Sequence, residues 1–445
     1  MNSQSTECQN SSAVEYADRK ELLAWALFDF ANSGYTTVVQ TTIFSAYFVG
    51  VVAAGPDYDS GLGTLLWSLS IGLANFIVMV CAPVIGAIAD FRAHKKRFLL
   101  MSSLLCVLAT ALLATVGPGD IVWGMVLVII SATMFAVGEN LIAAFLPEIV
   151  PKETMGRMSG YGWSLGYFGG LLTLSACLAY IIWAERQGLS NLHYVPVTMV
   201  ITAVIFAATA APTFLWLQER ATASPWVSGL SYISISFGRL RQTLEKAVHF
   251  RDLFWFLITL AVYQSGVSTV VVLAAVYAQE VMGFEAKELI LLIMVVNVTA
   301  AVGAFICGHL QDRIGSVRTL AITLLIWILA IMTGLAATEP QDMWVVGNLI
   351  GLAMGGSQSV GRALVSQFTP AGRSGEFLGL WGLVNRLSAI VGPLSYGVVN
   401  YLSHGDHRQS LLSTLAFFVI GLLLLSRVNE KRGKTASIAL DKLNG

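Results

Sequence analysis

Apolar stretches as long as a membrane is thick constrain this 445-residue chain more than any other feature. Twelve can be marked, at about 22–52, 62–89, 97–116, 120–147, 158–183, 194–217, 253–281, 288–309, 318–337, 342–366, 376–402 and 409–427. A helix needs roughly 20 apolar residues, at about 1.5 Å each, to cross the hydrocarbon core. Only 12% of the residues are charged, against about 25% in a soluble domain. The expected fold is an all-α membrane protein, with twelve transmembrane helices in two pseudo-symmetric six-helix bundles.

Basic residues set the expected topology. One set of loops and tails carries 21 of the 26 Lys and Arg, and the other carries only Arg186, Lys287 and Arg408. By the positive-inside rule both termini are cytoplasmic. The expected organisation is a tail at 1–21, a first bundle at 22–217, a linker at 218–252, a second bundle at 253–428 and a tail at 429–445. The linker contains an amphipathic piece, Ile235–Val248, suited to lying on the inner membrane surface. The balanced charge, 26 basic against 26 acidic residues, and the lack of a long basic tract give no footing for nucleic acid. Nothing requires more than a monomer in its lipid bilayer.

The halves repeat one another. Gly86 and Asp90 precede Arg92, Lys95, Lys96 and Arg97; Gly308 and Asp312 precede Arg313 and Arg318. Asn32-Ser33-Gly34 in span 1 matches Gln264-Ser265-Gly266 in span 7, and Glu139 falls opposite Gln358. A duplicated six-helix unit is the usual plan of a secondary transporter, with its small-molecule site between the halves at mid-membrane. Glycine in the duplicated loop lets helices approach closely. Its Asp can cap a neighbouring helix or pair with an Arg across the halves, which makes the loop a gate.

Four ionisable residues sit well inside the spans: Asp29, Glu139, Arg362 and Arg386. A charge in hydrocarbon costs at least about 2.5–3.5 kcal/mol, so each needs a partner or a purpose. Asp29 and Glu139 fall at similar depths on spans 1 and 4 and are expected to face each other as carriers of a proton or monovalent cation. Arg386, near mid-membrane, needs a carboxylate from a solute or, failing that, from Glu139 or Asp29. Arg362, four residues from the expected end of span 10, either snorkels to the interface or belongs to the gate. Asn32, Gln264 and Gln358, with the aromatic Trp163, Tyr167 and Trp381, complete the candidate solute site.

Trp25-Ala-Leu-Phe-Asp29-Phe-Ala-Asn32-Ser33-Gly34-Tyr35, Leu146-Pro147-Glu148 with Ser159-Gly160-Tyr161-Gly162-Trp163-Ser164-Leu165-Gly166-Tyr167, and Gly375-Glu376-Phe377-Leu-Gly379-Leu-Trp381 narrow the reading. With the duplicated loop they resemble the major facilitator superfamily, and within it the vacuole-effluxer, autophagy-related branch. The best-known member of that branch exports amino acids from the vacuole. The branch includes many bacterial relatives, which implies an inner-membrane location here. The resemblance implies alternating access and a small polar solute, an amino acid or similar zwitterion or anion. The Asp29–Glu139 arrangement is also similar to glycoside–cation symporters, which implies a cation-coupled sugar symporter as the alternative. A transport-inactive scaffold or lipid-handling protein is the alternative from another class. No phosphate-binding Gly-Lys-Ser/Thr loop and no His/Cys cluster with metal spacing is present, so neither an enzyme nor a bound cofactor is expected.

Overall fold

The computed structural model describes residues 17–53, 62–220, 251–280, 282–284, 286–370, 373–403 and 407–444. The linker piece Ile235–Val248 and most of the first tail lie outside them.

The described chain is helical. Asp18 accepts a hydrogen bond from Glu21 N at 2.8 Å and so caps α1, Arg19–Tyr35. The same rod continues to Val52 through π-helical turns at Thr36–Thr42 and Phe48–Val52 that flank Ile43–Tyr47. The first half continues with α2 (Leu62–Arg92), α3 (Lys95–Leu112), α4 (Ile121–Ala143), α5 (Met155–Arg186) and α6 (Asn191–Trp216). The second half holds α7 (Arg251–Glu280), α8 (Ala286–Ile314), α9 (Ser316–Ala336), α10 (Asp342–Phe368), α11 (Ser374–Leu402) and α12 (His407–Leu425). Gly315, at φ 97°, makes the tight link between α8 and α9.

Ten helices among the described residues are long and apolar enough to cross a membrane. Helix α10 falls outside that group although it spans 27 residues. Its glycines explain this: a Cβ on Gly351 would meet Val296 O at 2.6 Å, and one on Gly356 would meet Cys307 Sγ at 2.7 Å. The helix is wedged inside protein, so it need not be apolar toward lipid.

Each half has its own apolar core, one around Trp25, Phe28, Tyr35 and Phe145, the other around Phe256, Trp327, Phe368 and Phe418. The halves meet where α5 packs on α8 and α2 packs on α11. At the end of the bundle that carries Lys95, Lys152 and Arg157, called here the basic end, they are bonded together. Asp312 accepts from Gly156 N at 3.1 Å, Arg157 N at 3.0 Å and Arg157 Nε at 3.1 Å, which caps α5 from the other half. Beside it Gly160 and Gly308 touch backbone to backbone; a Cβ on Gly160 would lie 2.9 Å from Gly308 Cα. Lys95, fully buried, bonds Glu148 in its own half and Ser374 Oγ in the other, the latter at 2.7 Å.

The residues expected to be the second tail form a helix, α13 (Glu430–Asn444), docked against this end. Arg432 holds Asp252 with two hydrogen bonds of 2.6 Å, which keeps its guanidinium protonated beyond the ordinary arginine range. Glu430 accepts from Val317 N at 3.0 Å, and buried Ser437 is bonded by Lys152 of the first half.

Candidate functional site

The four intramembrane charges lie where the halves meet, Asp29 and Glu139 on α1 and α4, Arg362 and Arg386 on α10 and α11. They form two ion pairs, each joining an acid of the first half to an arginine of the second. Arg362 Nη1 donates to Asp29 Oδ2 at 2.6 Å. Arg386 Nη2 donates to Glu139 Oε2 at 2.9 Å. Asp29 and Glu139 are thus each paired with an arginine of the second half rather than with one another. Each carboxylate has a guanidinium partner, which is cheaper in a low-dielectric interior than two carboxylates side by side.

The pairs differ in setting. The Asp29–Arg362 pair is sealed, with side-chain exposures of 11% and 4%. Arg362 also donates from Nε to Ser159 Oγ at 3.1 Å and from Nη2 to Ser159 O at 3.0 Å. Ser159 Oγ in turn donates to Ser359 O at 2.7 Å across the halves. The guanidinium lies 4.8 Å from the Trp25 ring and 5.4 Å from the Trp163 ring, within cation–π range of both. Gly162 leaves room for this assembly; a Cβ there would meet Arg362 Nη2 at 2.5 Å and Trp25 Cζ3 at 2.9 Å. Arg362 does not snorkel: α10 runs on to Phe368, and Asp29 gives the cation a nearer partner than the interface.

The Glu139–Arg386 pair is half-buried, with exposures of 29% and 19%. Arg386 Nη1 also donates to Asn75 Oδ1 at 3.2 Å, and its Nε is buried without a partner among the described residues. Other unused hydrogen-bonding atoms lie on the same central helices: both amide atoms of Asn32, Trp163 Nε1, Gln264 Oε1 and Asn385 Oδ1. A buried unpaired polar atom costs about 1–3 kcal/mol, so these atoms on central helices are candidates to bond a solute.

The remaining sequence candidates divide. Tyr167 lies against Trp163 with the rings tilted by 33°, centroids 5.7 Å apart. Gln358 is half-buried on α10 without a hydrogen bond among the described residues. Trp381 is 4% exposed and packs within the second core. Of the gate residues, Gly308 and Asp312 make the contacts described above. Arg313 and Arg318 are exposed and form no ion pair among the described residues; the base that Asp312 takes is Arg157. Gly86 lines a small cavity with Asn140 and Gly375. Arg92 is exposed, and the Asp90 side chain lies outside the described ones. Sequence reasoning missed Asn75, Ser159 and the buried Lys95–Glu148–Ser374 cluster. Lys95 sits within a run of loop bases, and nothing in such a run marks the member that turns inward.

The geometry agrees with the comparisons. Residues 66–437 match the family described as vacuole effluxer Atg22 like. An uncharacterized MFS-type transporter, YxiO, of Bacillus subtilis (strain 168) is 26% identical over 94% of this chain and 97% of its own. Autophagy-related protein 22-1 of Neosartorya fischeri is 23% identical over 91% of this chain and 82% of its own. Among solved structures, the human organic anion transporter MFSD10 (TETRAN) superposes with a TM-score of 0.71 at 14% identity, over 92% of this chain and 99% of that one. The major facilitator transporter FucP in the outward conformation gives a TM-score of 0.69 at 15% identity, over 92% of this chain and 98% of that one. Relatives and fold neighbours alike are transporters, not enzymes. The chain belongs to the vacuole effluxer Atg22-like family and is a multi-pass membrane transporter of the major facilitator type.

Proposed function

We propose that the protein carries a small polar solute of no net charge, an amino acid or similar zwitterion, by alternating access. The observation that carries this reading is the half-buried Glu139–Arg386 pair with its unpartnered Arg386 Nε. Both arginines already have carboxylates, so a free anion would add an uncompensated charge. A zwitterion can exchange with the pair instead, its carboxylate on Arg386 and its ammonium on Glu139, at no net cost in charge. The basic end is cytoplasmic by the positive-inside rule. In this arrangement the bonded basic end is the closed gate, and the half-buried Glu139–Arg386 pair is the part of the site that a solute reaches. Opening toward the basic end requires α10 to carry Arg362 away from Asp29, and a proton or monovalent cation taken by the stranded carboxylate supplies the coupling.

One observation favours a second reading. The unused atoms are mostly carboxamides, on Asn32, Gln264 and Asn385, and carboxamides also suit the hydroxyls of a neutral sugar. Purified protein in liposomes, offered amino acids and sugars with and without a pH gradient or sodium, separates the two. Amino-acid accumulation driven by the pH gradient and lost in Glu139→Gln supports the first reading. Sodium-stimulated sugar uptake supports the second, and movement of neither overturns both.

A further inference from the structure

A lateral groove of about 670 Å³ opens toward the bilayer where α1, α5 and α8 meet. Leu23, Phe168, Val302 and Phe305 wall it, and each is about half exposed. The groove crosses the junction of the halves: Ser164 Oγ donates to Ala301 O at 2.8 Å between its walls. Its α5 wall, from Met158 to Phe168, runs about 15 Å at the helical rise, the depth of one leaflet of a core about 30 Å thick.

Its mouth at the basic end is polar. Arg19 lines the groove, is exposed, and forms no ion pair among the described residues. Lys20, also exposed, follows it in the chain. Tyr161 there pairs with His309, 3.2 Å from hydroxyl to Nε2. Among the described residues the neighbouring acids are engaged: Asp312 takes Arg157, and Asp18 caps α1. Ordinary annular lipid covers every outward face of such a protein and needs no cation. An arginine with no carboxylate partner among the described residues, set above a groove one leaflet deep, selects for charge at the headgroup.

We propose that this groove binds one anionic phospholipid from the leaflet at the basic end, its phosphate on Arg19 and an acyl chain between α1, α5 and α8. The two walls belong to different halves, so the chain has its full contact only while α5 and α8 are together. A ligand that fits one arrangement better shifts the population toward it. The bound lipid therefore stabilises the closed basic end. Binding stands apart from the transport reading; the effect on closure rests on alternating access.

Native mass spectrometry of the full chain, with equal phosphatidylglycerol and phosphatidylcholine of identical chains, tests the binding. The expected preference for phosphatidylglycerol is about fivefold, the factor expected of one arginine at an anionic headgroup. It falls to about even in Arg19→Gln and survives in Arg19→Lys, while Val302→Trp, which fills the groove, lowers retention of both lipids. Equal retention by the wild type, or an unchanged preference in Arg19→Gln, overturns the site. For closure, spin labels at cysteines replacing Glu153 and Arg313 report the separation of the halves in nanodiscs of either lipid. A larger short-distance population in phosphatidylglycerol, absent in Arg19→Gln, is expected. Equal populations beside a preserved lipid preference overturn the effect on closure alone and leave the transport reading untouched.

Discussion

Arg362 is the most heavily bonded side chain of the site, holding Asp29, both oxygens of Ser159 and the faces of two indoles. Removing one member of a buried pair leaves the other charge uncompensated, at about 3–5 kcal/mol. Arg362→Met should therefore lower unfolding stability in detergent by that amount. Asp29→Asn combined with Arg362→Met should recover most of it; if the double variant unfolds no later than the single one, the two residues are not an energetic unit. Trp163 separates two roles in one side chain, since its ring faces Arg362 while its Nε1 is buried and unbonded. Trp163→Phe keeps an aromatic face and loses the donor. For the solute that the wild type carries, it should raise KM about 3–10-fold, the value of one neutral hydrogen bond, with the maximal rate unchanged. An unaltered KM would make the Nε1 donor irrelevant to binding.

At the scale of the helix, closure depends on two glycines. A Cβ on Gly160 would sit 2.7 Å from Ala304 O, against backbone that cannot rotate away. Gly160→Ala must push α5 off α8, because packed helices have no slack for a buried methyl group. A cysteine replacing Ser359, buried in the closed arrangement, should then react several-fold faster with an impermeant thiol reagent added from the basic end; an unchanged rate would show that α5 and α8 are not what seals it. The sequence made this element partly legible, since Gly308 and Asp312 stood in the duplicated loop and Gly160 in the glycine-bearing motif of span 5. The partner of Asp312 was not legible, because Arg157 lies 155 residues away and pairing across a bundle leaves no local periodicity. The docked α13 was hidden for a related reason. Its composition is polar, and its anchors, Asp252 and Lys152, belong to distant segments.

Across the whole molecule, hydropathy and internal repetition carried the fold, because lipid allows few architectures for long apolar runs. The four buried charges were legible as a set, since each violates the hydrocarbon rule. Their pairing was not: depth along a helix is readable from spacing, but facing depends on helix rotation and on which halves meet. The outcome is an acid of one half held by an arginine of the other, twice, with one pair sealed and one half-open. Such a molecule should be a two-state clamp, its basic end closed while the sealed pair is made. The distance between nitroxides at positions 153 and 313, measured by pulsed electron resonance in a cysteine-free background, tests this most directly. The wild type should give one short distance, and Asp29→Asn with Arg362→Met should add a distinctly longer population without loss of folded protein. A double variant that keeps only the short distance would contradict the account.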